Sequence, residues 1–192
     1  MAIILKNSVY FKITRCGSEW IRTVLYDACN VVAEVNGTTM ADAMTIPPTT
    51  KCFTFIRHPI TWHQSLYQLH LRRIAEGNMT KGFITFKQML DYTSIDTFIE
   101  TLFRFPVNYY SNYVNDKLMV CKHVGKQENL CEDLIRILRE VGEEFDEDKI
   151  RATAPINVSV PHDPVSHPIS GMIQFRYSKL MRKFGYEPIS YQ

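Results

Sequence analysis

The sequence predicts an α/β sandwich built on a central, mostly parallel sheet, and three observations predict it. Short runs of β-branched and aromatic residues, such as "SVYFKI" (8–13) and "CFTFI" (52–56), have the composition of buried strands. Other segments carry apolar residues every three to four positions, the spacing of helices that cover a core with one face. The two kinds alternate along the chain, the pattern of strand–helix–strand units and parallel pairing. In such sheets ligands bind beyond the carboxyl ends of the strands.

Each element follows from its residues. "SVYFKI" reads as a central strand. In 17–29 the apolar positions Trp20, Ile21, Val24, Leu25 and Ala28 have helical spacing. "VVAEV" (31–35) suits a second strand, and the Gly-, Thr- and Pro-rich stretch 36–51 suits a loop. After the strand 52–56 come Arg57, His58 and Pro59; proline favours the first turn of a helix, here continuing to Gly77. Two weaker helical patterns occupy 83–104, and "KLMVCKHV" (117–124) reads as a further strand. The clearest helix spans 128–142, with Leu130, Leu134, Ile137, Leu138 and Val141 in one stripe and Gly142 able to close it. The proline-rich 153–170 reads as irregular, and a last helix stops at Gly185. No repeat or composition break divides the 192 residues, so a single domain, 1–192, is expected.

Bulk properties exclude some classes. A formal net charge of +2 argues against broad coating of nucleic acid. No apolar stretch is long enough to span a bilayer, and the start lacks a secretory layout. The five cysteines, Cys16, Cys29, Cys52, Cys121 and Cys131, have no metal-ligand spacing; free thiols in a reducing cytoplasm are expected, with no metal, membrane or nucleic-acid partner.

The turn "TRCGSEW" (14–20) carries the chemistry. A strand ends before it and a helix begins within it, so unpaired helical N–H groups and the helix dipole favour an anion there. Gly17 lets backbone approach a ligand, Ser18 can cap the helix or donate to an oxygen, and Arg15 adds a planar, permanent cation. The turn is not a Walker A loop, having neither its spacing nor its lysine. A second arginine, Arg57, ends another strand in "FIRHPITWHQSLYQ" (55–68), with Ser65 eight residues on. Two such strand ends suit two phosphates of one ligand.

These segments resemble the sulfotransferase family. "TRCGSEW" is similar to its 5′-phosphosulfate loop, Pro-Lys-x-Gly-[ST]-[ST]-Trp/Leu. "RHPITWHQSLY" resembles its 3′-phosphate motif, R-x-P-x-x-x-x-x-S-x-Y. "VGKQENLCEDL" resembles V-x-x-x-E-x-L-x-x-D-hydrophobic, and "LMRKFGYEP" the terminal L-x-x-x-F-G-Y. The four segments keep family order across nearly the whole chain.

The resemblance implies a P-loop NTPase-like, three-layer α/β sandwich that uses 3′-phosphoadenosine 5′-phosphosulfate and transfers its sulfuryl group to a hydroxyl or amine of a small-molecule or carbohydrate acceptor. It implies that Arg15, Cys16, Gly17, Ser18 and Glu19 wrap the phosphosulfate and that Arg57 and Ser65 hold the 3′-phosphate. Trp20 would lie against adenine or serve as helix core. Arg15 replaces the usual lysine: it can stabilise a leaving oxygen but hardly protonate it. Glu19 replaces a Ser or Thr and is unfavourable beside an anion unless it points away. Among Glu34, Asp42, His58 and His63 as bases for the acceptor, Glu34 is preferred, with Asp42 next; His58 and His63 are expected to shape the turn and a polar helix face. A non-catalytic relative that binds adenosine bisphosphate, and a P-loop-type phosphotransferase, are the competing readings.

Overall fold

The computed structural model describes residues 1–35, 49–77, 93–104, 109–156 and 164–189. The chain opens with a hairpin: β1 (Ala2–Leu5) and β2 (Ser8–Phe11) pair antiparallel, Ala2 opposite Phe11 and Ile4 opposite Val9. The turn is pinned from outside, since the Asn7 N–H donates to Glu143 Oε1 (2.8 Å) and Ser8 Oγ to the same oxygen (2.7 Å). There follow α1 (Ser18–Ala28), β3 (Val31–Val35), β4 (Lys51–Ile56), α2 (Pro59–Ala75), α3 (Ile95–Arg104), α4 (Tyr109–Val120) and β5 (His123–Lys126). A 3-10 turn (Gln127–Asn129) then leads into α5 (Leu130–Val141), α6 (Glu147–Ala152), α7 (His167–Arg176) and α8 (Ser178–Phe184).

The fold is α/β: a five-stranded mixed sheet of order β3-β1-β2-β4-β5, with eight α-helices among the described residues. The sheet is only partly parallel, which corrects the expectation of a mostly parallel one. β2–β4 and β4–β5 are parallel pairs, whereas β1 is antiparallel to both its neighbours. The cause is local: "AIIL" and "SVYF" are joined by Lys6 and Asn7 alone, far too short a link for the crossover that parallel pairing needs. All four residues of β2 are buried, as a central strand requires.

The strand expected at 117–124 is also corrected. Lys117 to Val120 end α4, and the strand lies later, at His123–Lys126. Tyr110, Val114, Lys117 and Cys121 are buried while Met119 is 76% exposed, a period near 3.6 rather than 2. The final helix begins earlier than expected, at His167, and is divided at Tyr177. α6 was not foreseen; Asp146 Oδ1 caps it by accepting from the Lys149 N–H at 3.1 Å.

The chain forms two compact units, 1–57 with 111–158, and 58–110 with 159–192. The first holds the sheet. On one sheet face Ala2, Val9, Phe11 and Cys52 pack with Cys121, and Ile4 and Val120 join them. Gly125 of β5 leaves room for the Phe55 ring, which lies 2.3 Å from where a Cβ would stand. The second unit is helical and rich in rings: Trp62 and Tyr110 meet edge to face at 4.9 Å, and Tyr110 and Tyr177 at 5.0 Å.

Tyr10 is the exception in the first core. It is fully buried, its ring 5.4 Å from that of Phe53, and its hydroxyl has no hydrogen-bond partner among the described residues. An unmet buried hydroxyl costs about 1–3 kcal/mol. Tyr10→Phe is therefore expected to leave the urea-unfolding free energy unchanged or to raise it by about 1 kcal/mol. A loss of similar size would reveal a bound partner for the hydroxyl.

Candidate anion-binding site

The turn after β2 has the backbone that an anion cradle needs. Arg15 is left-handed (φ 68°), the one non-glycine residue to be so among the described residues, and Gly17 follows at φ 75°. A left-handed non-glycine residue costs about 1–2 kcal/mol, and such strain gathers at functional sites. Gly17 is the N-cap of α1, with no side-chain cap bond. The Ile21 N–H donates to the Gly17 carbonyl at 3.0 Å, so the amides of Ser18, Glu19 and Trp20 precede the first intrahelical bond.

Gly17 also packs closely on the start of α5. A Cβ there would stand 2.6 Å from Leu130 Cδ1. Gly17→Ala is expected to cost about 2 kcal/mol in urea unfolding, from the left-handed backbone and this overlap. Adding Leu130→Ala should remove the overlap and leave the backbone cost; if the alanine is tolerated at no cost, the turn is not fixed as described.

Arg57, half-buried after β4, reaches the same turn: its Nη1 donates to the Arg15 carbonyl at 3.4 Å. β2 and β4 are parallel neighbours, so their carboxyl ends share one rim of the sheet, and the two arginine-bearing turns meet there. The Cys16 thiol is buried at this point. Burial pushes its pKa well above the usual thiol range; the Arg57 and Arg15 guanidinium groups oppose that rise and Glu128 adds to it. A thiol so placed is no nucleophile.

β5, parallel to β4, ends at the same rim. The N–H of Lys126, its last residue, donates to Asp133 Oδ2 at 2.7 Å, which orders the turn carrying Glu128. The segment resembling V-x-x-x-E-x-L-x-x-D thus has structural duties: Asp133 holds the turn and Leu130 fills the space above Gly17.

Glu19 is engaged in an ion pair with Lys12 Nζ, its side chain half-exposed. That partner was not foreseen, although Lys12 stands seven residues before Glu19. Trp20 is 5% exposed and its Nε1 donates to the Thr153 carbonyl at 3.2 Å, so it serves the helix core in this arrangement. Glu34, on the terminal strand β3, accepts from Tyr26 Oη and Arg22 Nε, each at 2.9 Å. Those bonds, Tyr26 first, hold its carboxyl below the usual range, the opposite of what a proton acceptor needs.

In the second unit, Ser65 is fully buried in α2. His58 caps α2, accepting from the Ile60 N–H at 3.2 Å, and its Nε2 lies 3.1 Å from the Glu187 carbonyl. Its ring meets Tyr186 edge-on at 5.3 Å, which joins the "RHP" segment to the terminal "FGY". His58 thus shapes the turn, as expected. His63 does not lie on a polar face; it is 1% exposed among rings. Asp42 lies outside the described residues.

Comparison with protein-family models, curated proteins and solved structures finds no match to this chain.

Proposed function

We propose that this protein is a sulfotransferase that uses 3′-phosphoadenosine 5′-phosphosulfate, with a P-loop-like, three-layer architecture, and acts on a hydroxyl or amine of a small-molecule or carbohydrate acceptor. The observation that carries this reading is the contact between Arg57 and the Arg15 turn at one rim of the sheet. The donor set suits a doubly anionic ligand: two guanidinium groups, amides ahead of the first helical bond, and a carboxylate neutralised by Lys12.

When bound, the nucleotide supplies the sulfuryl group. In this reading the amides of 17–20 and the Ser18 hydroxyl hold its charged end, and Arg15 stabilises negative charge growing on the leaving oxygen without giving up a proton. Arg57 holds the 3′-phosphate. Glu34 would have to leave Arg22 and Tyr26 to accept the acceptor's proton.

The test is a thermal shift with 3′,5′-adenosine bisphosphate against ATP, without magnesium. A ligand present at about 100 times its dissociation constant adds about 2.7 kcal/mol to the native state, a rise of several degrees. Selective stabilisation by the bisphosphate is expected; preference for magnesium–ATP would favour a phosphotransferase. Transfer of labelled sulfate to an acceptor panel then separates an enzyme from a binding-only relative, the second reading, which the Arg15 and Glu19 replacements favour.

A further inference from the structure

The C-terminal helices present a face that the proposed chemistry does not use. Ile169, Ile173, Tyr177 and Met181 are buried at steps of four. The Tyr177 N–H donates to the Ile173 carbonyl at 3.0 Å and closes α7, and the Met181 N–H donates to the Tyr177 carbonyl at 2.9 Å and opens α8, so Tyr177 is the joint between the two helices. Away from those buried positions each helix carries an exposed stripe: Met172, Phe175 and Arg176 on α7, then Lys179, Arg182 and Lys183 on α8.

Two properties of these stripes are unusual. Phe175 is 85% exposed and Met172 44%, although both are large and apolar. Four exposed cations follow them along the two helices, no acidic residue occurs between His167 and Gly185, and none of the four has a carboxylate partner among the described residues. Arg176 instead stacks over the Phe103 ring at 4.6 Å and Lys183 over Phe184 at 5.3 Å. A row of unneutralised cations repels a second copy of itself. A protruding phenylalanine and methionine have nothing to gain from a purely polar polyanion. An anionic bilayer surface satisfies both: lipid headgroups meet the cations while the apolar tips enter the boundary with the acyl chains.

We propose that the α7–α8 face docks this protein on anionic lipid surfaces, lying on the bilayer without crossing it. Among the described residues no helix is long and apolar enough to cross a membrane, so only surface docking is proposed. The experiment is co-sedimentation of the full chain with phosphatidylcholine vesicles, with and without phosphatidylserine. Binding is expected only with phosphatidylserine, and high salt should weaken it. Each basic residue near an anionic surface contributes about a factor of five, so Lys179→Glu with Arg182→Glu should reduce binding more than tenfold. Phe175→Ser should weaken it separately. All three positions are exposed, and unchanged melting temperatures would verify that the variants fold. Failure to bind phosphatidylserine vesicles, or binding indifferent to these substitutions, overturns the proposal. So does loss with the charge reversals alone while Phe175→Ser is silent, the pattern of an acidic protein or nucleic-acid partner.

Discussion

Acidification from pH 7 to pH 4 is expected to remove about 3 kcal/mol of stability through His63 alone. The ring is buried between Trp62 (5.1 Å), Phe103 (5.6 Å) and Tyr177 (5.6 Å), with Tyr110 at 6.3 Å. Its Nδ1 lies 2.7 Å from the Pro59 carbonyl; a carbonyl only accepts, so Nδ1 carries the proton of the neutral ring. Burial lowers the pKa to about 4; the Pro59 bond opposes this and Arg176 adds to it. The folded value lies below the unfolded one, so the contribution is complete above pH 6.5 and is lost as the pH falls toward 4. Urea unfolding at a series of pH values measures it. His63→Asn keeps a donor near Pro59 and cannot titrate, so its acid slope should be shallower by about 1.4 kcal/mol per pH unit. Equal slopes would show that His63 is accessible to protons when folded. Should the variant not fold, NMR titration of the His63 ring in the native chain decides the same point.

Arg57→Ala is expected to weaken 3′,5′-adenosine bisphosphate binding by about 2–3 kcal/mol, roughly 30- to 150-fold in Kd. Arg57→Lys keeps the charge and loses the planar fork, so it should fall between alanine and the native residue. Calorimetry reads both. Removing Arg57 also removes its bond to the Arg15 carbonyl, so a small loss of stability should accompany the change. An alanine variant that folds and binds the bisphosphate with native affinity would end the assignment of Arg57, whatever the acceptor is.

The parts of the fold legible in the sequence are those where a local signal and the tertiary environment agree. Val9, Phe11 and Cys52 are apolar and strand-forming, and they are buried in the sheet. Pro59 and Gly77 bracket α2 because each backbone preference acts within its own turn. The misreadings arose where apolar runs were too short to carry a period. "KLMVC" taken alone suits a strand; the helical face appears only when Tyr110 and Val114 are counted with it. "AIIL" was passed over because its hairpin turn is Lys-Asn, without glycine.

At the site, the turn that departs from β2 was legible from Gly17 and Arg15, whose types answer to backbone geometry and charge. The neutralisation of Glu19 by Lys12 and the clamp on Glu34 depend on which side chains meet across elements, and no spacing rule reports that. His63 likewise shows no outward sign of its enclosure, since Phe103 and Tyr177 reach it from distant segments.

The chain has two tryptophans, and the compact units hold one each, Trp20 in the first and Trp62 in the second. Replacing either by phenylalanine leaves an emission signal that reports on a single unit. Intrinsic fluorescence can then time the loss of the sheet and the loss of the helical cluster independently, without an attached dye. Trp62 lies beside His63, so its emission also registers the arrival of a proton in that aromatic enclosure.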